Sequence, residues 1–186
     1  MKEDINNALR VLKNGGVILY PTDTIWGIGC DATNPEAVKR VYEIKQREDT
    51  KSMLVLMENE NRLSSYVEEV PEIAWDLIEV ADKPLTLIYP GAKNLAPNLI
   101  NSDGTIGIRM TREKFTQELI FRFRKPIVST SANISGDNSP ANFSEIGQDI
   151  IDSVDYVVNY RQNDLSKGTA SSIMKIGLGG EIQVLR

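Results

Sequence analysis

Residues 17–30 read VILYPTDTIWGIGC and contain two short apolar runs separated by a polar turn. The first run, Val17 to Tyr20, predicts a buried strand. Pro21 ends this strand, because proline has no backbone N–H to donate. The second run, Ile25 to Cys30, predicts another strand, and its two interleaved glycines let another group approach the backbone closely. This stretch therefore predicts two neighbouring extended elements at the start of a sheet.

Helical and extended patterns alternate on both sides of this stretch. Apolar residues at helical spacing before it predict a helix that stops at Gly15-Gly16, and Asn34-Pro35-Glu36 after it is typical of a helix start. Further helices are predicted over 71–80 and 113–122, and strands over 53–57, 85–89, 105–110, 127–130, 156–158, 172–174 and 182–185. We expect one α/β domain, residues 1–186, with a twisted mixed sheet.

The composition excludes several kinds of site. The 186 residues contain no histidine and one cysteine. Within them, a Ser-His-Asp or Cys-His catalytic group, an intrachain disulfide and a cysteine-based zinc cluster are therefore excluded. Cys30 follows a strand-like run and is predicted to be a quiet, partly buried thiol. We expect any metal to be a hard ion such as Mg²⁺, held largely by oxygen ligands and substrate phosphates.

Charge and hydropathy indicate the cellular location of the protein and the partners it can bind. No apolar run approaches the roughly 20 residues of a membrane helix. The first residues lead into a helical pattern and not into a signal peptide. We therefore expect a cytoplasmic protein with no membrane partner. The net charge of −5 gives no support for nucleic-acid binding through the overall electrostatic field of the protein. Binding of RNA through a local basic patch remains an alternative.

Three short segments carry polar residues where structure alone would favour apolar ones. The first is the turn Thr22-Asp23-Thr24, whose hydroxyls could meet a ligand or satisfy the turn's own backbone. The second is Lys45-Gln46-Arg47, with Lys51 just beyond it. Cations at a helix C-terminus complement the helix dipole, whereas the position of Lys45 on the apolar stripe suits phosphate binding in a cleft, and the two explanations are equal alternatives.

The third segment is residues 129–140, a predicted strand that runs into a Ser/Asn-rich loop. Its hydroxyls, amides and glycine turn suit a cradle for ribose and phosphate, although an ordinary polar loop is an equal alternative. No GxxxxGK[ST] or GxGxxG motif occurs, so the common phosphate loops and dinucleotide folds are not indicated.

Taken in this order, the segments resemble the YrdC-like family. The matching motifs are PTDTIWGIG at 21–29, the KxR of 45–47, TIGIRM at 105–110, PIVSTSAN at 126–133, and the closing residues 171–173 and 184–186. The similarity runs from about residue 17 to the last residue. It implies a YrdC-like twisted mixed sheet flanked by helices, with a central cleft.

The resemblance also implies an activity. Members of the family form threonylcarbamoyl-AMP and pyrophosphate from L-threonine, bicarbonate or CO₂, and ATP, and Mg²⁺ is expected to accompany the ATP. A tRNA-modifying transferase complex then passes the threonylcarbamoyl group to the adenosine beside the anticodon. Whether this chain itself contacts tRNA or double-stranded RNA stays open.

Carried over position by position, the resemblance implies two groups of site residues. Residues implied to bind ATP are Lys45, Arg47, Lys51, Thr105, Ser131, Asn133, Ser139 and Arg186, of which Lys45 and Arg47 are the catalytic candidates. Residues implied to bind L-threonine are Thr22, Arg109, Ser129 and Ser171. Arg109 would pair with the carboxylate, which suits the bidentate fork of a guanidinium. No metal ligand is assigned.

The chain departs from the family pattern at several positions: Glu48 stands for a common proline, Leu56 for a histidine, and Thr169-Ala170 for Val-Glu. Two other functions are therefore kept. One is a non-catalytic RNA-binding or translation-associated protein that uses the same basic cleft, with Lys45, Arg47, Lys51, Arg109, Arg112, Arg122, Arg124 and Lys125 as its patch. The other is a paralogue with the fold but not the reaction.

Overall fold

A computed structural model describes residues 1–46 and 53–186. Within these residues the helices are α1 (Lys2–Lys13), α2 (Pro35–Lys45), α3 (Glu72–Val80), α4 (Lys114–Phe123) and α5 (Gln148–Ser153). The strands are β1 (Ile18–Tyr20), β2 (Gly27–Gly29), β3 (Leu54–Met57), β4 (Leu85–Tyr89), β5 (Ile106–Met110), β6 (Ile127–Ser131), β7 (Tyr156–Val157), β8 (Ser172–Ile176) and β9 (Ile182–Val184). Short 3₁₀ turns cover Glu60–Ser65, Pro97–Leu99 and Phe143–Glu145.

All nine of these strands belong to one mixed sheet in the order β7-β1-β2-β6-β3-β5-β4-β8-β9. The pairs β1/β7, β3/β5 and β4/β8 are parallel, and the other neighbours are antiparallel. The expected twisted mixed sheet flanked by helices is confirmed. The predicted helices and strands all occur, mostly shortened by one or two residues at their ends, whereas α5 and the 3₁₀ turns were not predicted.

The two strands of residues 17–30 pair with each other and then with β6. Ile18 lies opposite Gly29, and Gly27 lies opposite Ser131. A Cβ on Gly29 would collide with the carbonyl of Val128 and lie 2.6 Å from the Tyr20 ring. The groups that approach this glycine closely are therefore a backbone carbonyl and a tyrosine ring of the sheet itself.

Helix α2 has the cap and the buried stripe that its sequence predicts. The Asn34 side chain accepts hydrogen bonds from the backbone N–H groups of Glu36 and Ala37, at 3.0 and 3.2 Å. The helix ends at Gln46, whose φ of 48° is left-handed. Lys45 is only 2 % exposed, so the helix carries this cation into the interior as predicted.

Apolar side chains from both halves of the sheet and from the helices form one core. Cys30 belongs to it, with no exposed surface, and burial raises the pKa of its thiol well above the usual range. This confirms that the thiol is buried. No helix in the described part of the chain is long and apolar enough to cross a membrane.

Candidate functional site

A cavity of about 260 Å³ lies against the sheet and is lined by residues of β2, β3, β5, β6 and β8 and of the segments next to them. Six of the residues predicted to bind substrate line it: Arg109, Ser129, Ser131, Ser139, Ser171 and Arg186. Thr24, Trp26 and Gly27 form another part of its wall. Residues far apart in the sequence therefore meet in one cleft, which is called the Arg109 cleft below.

Strand register explains why these side chains share one face of the sheet. Arg109 lies opposite Leu56 on one side and Thr86 on the other, and Thr86 lies opposite Ile173 of the next strand. Directly opposed residues of neighbouring strands point to the same face, and residues two apart along one strand do so as well. Leu56, at the position where the family can carry a histidine, is fully buried beside Arg109.

The Arg109 guanidinium is held by the turn at residues 22–24. Its Nη2 donates to Thr24 Oγ1 at 3.1 Å and to Thr22 Oγ1 at 3.5 Å, and lies 3.2 Å from Asp23 Oδ1. Its Nε is buried and has no hydrogen-bond partner among residues 1–46 and 53–186. Burial lowers the pKa of Arg109, and the negative charge of Asp23 opposes that shift. The group stays cationic, and its Nε can donate to an anionic ligand.

The turn itself is held by its own backbone and by two other elements. Thr22 Oγ1 donates to the Ile25 carbonyl at 2.7 Å and accepts from the Thr24 N–H at 3.1 Å. Thr116 of α4 donates to the Pro21 carbonyl, and Arg161 donates to the Thr22 carbonyl at 3.3 Å. The turn therefore makes the internal hydrogen bonds expected of it, and its Thr24 also lines the Arg109 cleft.

Lys45 contacts the loop that follows β6. Its Nζ donates to the carbonyls of Ser131 and Asn133, each at 2.6 Å, and lies 3.3 Å from the side-chain oxygens of the same two residues. The lysine of the KxR motif thus shapes the SxN segment of the cleft. A contact from Lys45 to ATP phosphates stays a prediction, and Arg47 and Lys51 lie outside the described residues.

The far wall of the cleft comes from the end of the chain. Ser171 is 2 % exposed, and its Oγ shares a 2.8 Å hydrogen bond with Thr86 Oγ1. Arg186 Nε donates to the Ser171 carbonyl at 3.0 Å, and its backbone pairs with Ile173. Ser171 and Arg186 therefore stand side by side at the cleft, as their predicted roles require.

Four of the described predicted residues do not line the Arg109 cleft: Lys45, whose contacts are given above, Thr105, Asn133 and Thr22. The Thr105 hydroxyl donates to Asp103 Oδ1 at 2.6 Å, just before β5. The Asn133 side-chain amide donates to the backbone carbonyls of Ile134 and Asp137. Thr22 lines a smaller adjoining cavity of about 30 Å³. Their predicted substrate contacts stay predictions.

Sequence reasoning did not assign a role to several residues that the fold brings to the site. Asp23 and Thr24 had a signal, because they belong to the flagged polar turn. Thr86 and Arg161 had none, because their contacts with Ser171 and Thr22 join positions 85 and 139 residues apart. Trp26 packs on Phe143 with ring centroids 4.8 Å apart and forms an aromatic wall of the cleft.

A larger cavity of about 630 Å³ lies between α3 and the opposite face of β4 and β5. Ile108 and Met110, the neighbours of Arg109 in β5, line this cavity, because side chains alternate between the two faces of a strand. Volume alone would favour it as the site. Convergent polar groups identify an active site better than volume does, and the predicted residues gather in the Arg109 cleft.

The described cations of the candidate RNA patch do not form one exposed surface. Lys45 and Arg109 are buried, at 2 % and 3 % exposure. Arg122 pairs with Glu118 at 2.6 Å, and Lys125 pairs with Asp31 at 2.7 Å. Arg112 and Arg124 are exposed, so the described part of the patch is divided among buried, paired and exposed cations.

Within residues 1–46 and 53–186, no group of three or more His, Cys, Asp or Glu side chains could hold a metal ion.

Comparison with known proteins gives close matches over nearly the whole chain. A threonylcarbamoyl-AMP synthase from Pseudoalteromonas translucida is 33% identical over 178 residues, which cover 94% of each chain. A putative threonylcarbamoyl-AMP synthase from Methanocaldococcus jannaschii is 34% identical over 180 residues, covering 94% of this chain and 83% of the other.

Solved structures agree on the fold. The P. abyssi Sua5 complexed with L-threonine superposes with a TM-score of 0.86 at 25% identity, over 98% of this chain and 53% of that one. The present chain therefore spans about half the length of that Sua5 chain. E. coli YciO gives a TM-score of 0.85 at 24% identity over 100% of this chain and 89% of its own, which bears on the fold alone.

The family model described as "Telomere recombination" matches residues 10–186. With this match and the relatives above, the chain belongs to the Sua5/YciO/YrdC family.

Proposed function

We propose that this protein is an L-threonylcarbamoyladenylate synthase, which makes threonylcarbamoyl-AMP and pyrophosphate from L-threonine, bicarbonate or CO₂, and ATP. The observation that carries the proposal is the Arg109 cleft, which combines a buried guanidinium with a ring of hydroxyl groups. The names of the two relatives and the threonine complex of Sua5 support the same activity.

In this proposal the amino acid binds around Arg109. The unpartnered Nε of the guanidinium donates to the carboxylate of L-threonine. Ser129 and Ser171 line the cleft beside Arg109 and can exchange hydrogen bonds with the polar groups of the amino acid. Thr22 has a smaller part in this amino-acid site, because its hydroxyl already donates a hydrogen bond within the turn.

The nucleotide occupies the side of the cleft formed by the end of β6 and the C-terminal residues. Ser131, Ser139 and Arg186 line that side. Lys45 would hold phosphate together with Arg47, and Lys51, Thr105 and Asn133 complete the proposed set. Mg²⁺ bound to the ATP phosphates would offset their charge, in keeping with the lack of a protein carboxylate cluster among the described residues.

The chemistry needs positioning and charge neutralisation more than a side-chain nucleophile. The α-ammonium of threonine and bicarbonate give a carbamate, one water and one proton. A carbamate oxygen then bonds to the α-phosphorus of ATP as the bond to the leaving pyrophosphate breaks. The chain has no histidine and a buried, inert cysteine, and a step of this kind requires neither.

The product is a mixed anhydride that a second protein must use. We propose that a tRNA-modifying transferase complex takes it, and that cytoplasm is the site of action. Direct contact with tRNA or double-stranded RNA is the less favoured alternative: Arg112 and Arg124 are exposed, but Lys45 and Arg109 are buried and Arg122 and Lys125 pair with carboxylates.

The proposal is tested by measuring pyrophosphate release with ATP, Mg²⁺, bicarbonate and L-threonine. We expect release that depends on threonine, together with a threonylcarbamoyl adenylate detected by mass spectrometry. Arg109→Gln should lose most of this activity while it stays folded. Folded wild-type protein that releases no threonine-dependent pyrophosphate would contradict the proposal, and steeply salt-dependent tRNA binding in its place would favour the RNA-binding alternative.

A further inference from the structure

Asp23 is a buried carboxylate that contacts Arg109 without lining the cleft, and it has no role in the chemistry described above. Its side chain is 8 % exposed, and that of Arg109 is 4 % exposed. A buried acid beside the group that binds the substrate carboxylate needs an explanation, because the two anions would compete for the same cation. The contacts of Asp23 supply one.

A backbone hydrogen bond fixes the position of the Asp23 carboxylate. Its Oδ2 accepts a hydrogen bond from the Arg112 N–H at 3.1 Å, just after β5 ends. A backbone donor at the end of a strand cannot rotate away as a side chain can, so Asp23 Oδ1 is fixed relative to β5. The same strand carries Arg109, so both members of the pair are anchored to one element.

Within residues 1–46 and 53–186, the polar contacts that hold the guanidinium fall on one nitrogen. Nη2 donates to Thr24 Oγ1 at 3.1 Å and to Thr22 Oγ1 at 3.5 Å, and it lies 3.2 Å from Asp23 Oδ1 in an ion pair without hydrogen-bond geometry. Nε keeps no partner in the described part of the chain. Because the guanidinium is planar and rigid, holding Nη2 fixes the direction in which Nε donates.

We propose that Asp23 is a positioning residue, which orients the Arg109 guanidinium so that its Nε side meets the carboxylate of the amino-acid substrate. The inference rests on the proposed function and adds to it the residue that prepares the carboxylate site. Asp23 also offsets part of the cost of burying Arg109, since burial lowers the pKa of the guanidinium and the nearby carboxylate raises it. Preorganisation of this kind strengthens binding because less freedom is lost when the ligand arrives.

A different role for Asp23 would be direct contact with the α-ammonium of threonine. A threonine analogue that has the carboxylate but lacks the ammonium group distinguishes between these two roles. 3-Hydroxybutyrate is threonine without its amino group, so it depends on Arg109 but offers nothing to a carboxylate. Its affinity therefore reports on Asp23 only through Arg109.

The experiment compares wild-type protein with Asp23→Asn by calorimetric titration of L-threonine and by competition with 3-hydroxybutyrate. We expect the dissociation constants of both ligands to rise by the same factor, roughly tenfold, as for loss of a charge-assisted contact. In the pyrophosphate assay the KM for threonine should rise while the KM for ATP stays unchanged.

Two results would overturn the inference. Weaker binding of threonine with unchanged binding of 3-hydroxybutyrate would assign Asp23 to the ammonium. Unchanged or tighter binding of both ligands would show that Arg109 needs no positioning by Asp23. Wild-type protein that does not bind threonine at all would overturn the proposed function as well, which keeps the two failures distinct.

Asp31→Asn is the matched control. Asp31 is another buried aspartate, but the cation it pairs with is Lys125 and not Arg109. It should lower the melting temperature and leave both dissociation constants unchanged. If Asp23→Asn does not fold, Thr24→Val carries the test, because it removes another Nη2 contact, and Thr24→Ser should restore binding.

Discussion

At the scale of single residues, the cleft is built from buried charges that are each surrounded by oxygen atoms. Lys45 shows the pattern most clearly, because its ammonium is buried against the carbonyls of Ser131 and Asn133. A buried cation is tolerated only when such partners replace its water. Lys45 therefore stabilises the loop after β6 and also brings positive charge to the proposed nucleotide side.

Lys45→Met keeps the length of the side chain and removes the charge. We expect the variant to lose about 1–3 kcal/mol of unfolding free energy, because the half-buried carbonyls of Ser131 and Asn133 lose a charged donor. Adenylate formation should fall by at least ~100-fold, the usual effect of removing one charge-stabilising group from an active site. Urea unfolding and the pyrophosphate assay measure the two effects separately.

Lys39→Met on the same helix is the control. Lys39 is 65 % exposed and pairs with Glu43 at 3.9 Å, so its loss should change stability by no more than about 0.5 kcal/mol and leave activity unchanged. Wild-type activity in Lys45→Met would show that its role is only structural.

At the scale of elements, the segment between β7 and β8 packs against the turn that holds Arg109. Gly168 lies directly on the Thr24 carbonyl, and a Cβ at this position would collide with that oxygen. The Gly168 N–H donates to the Ala141 carbonyl at 3.2 Å, so the segment has little room to move aside. The position of the turn therefore depends on a glycine more than 140 residues away.

Gly168→Ala should lower the unfolding free energy by about 1–3 kcal/mol, since the added methyl group overpacks a closed contact. It should also raise the KM for threonine more than the KM for ATP, because displacement of Thr24 disturbs Arg109. Gly104→Ala is the comparison: nothing lies within 4 Å of its Cβ, but its φ is +75°. It should cost about 1–2 kcal/mol from backbone strain alone and leave both KM values unchanged. Equal kinetics in the two variants would contradict the proposed link.

These elements also show what a sequence can reveal. Apolar periodicity, the Asn34 cap and the prolines predicted the helices and strands, because these signals act within one element. The motifs located the turn at 22–24, Lys45 and the end of β6 for the same reason. The partners of those residues were not predictable, because Thr86, Arg161 and Gly168 reach the cleft only through packing between distant strands and loops.

At the scale of the whole molecule, the Arg109 cleft joins the two ends of the chain. Its wall runs from Thr24 in the first polar turn to Arg186 at the last residue, with β6 and β5 between them. A ligand that contacts both sides adds a link between two parts of the sheet that β6 and β3 separate in the strand order. Binding should therefore stabilise the whole fold and not one loop.

We expect Mg²⁺-ATP and L-threonine each to raise the melting temperature of the protein, with a larger rise when both are present. A ligand at a hundred times its dissociation constant adds about 2.7 kcal/mol to the unfolding free energy, which for a chain of this length is roughly 5–10 °C. Differential scanning calorimetry with each ligand alone and with both measures the shifts. In Arg109→Gln the shift with threonine should disappear while the shift with Mg²⁺-ATP persists, because only the amino acid is proposed to bind the guanidinium. A threonine shift that survives in Arg109→Gln would mean that the amino acid binds elsewhere, and the 630 Å³ cavity beneath α3 would then be the place to look.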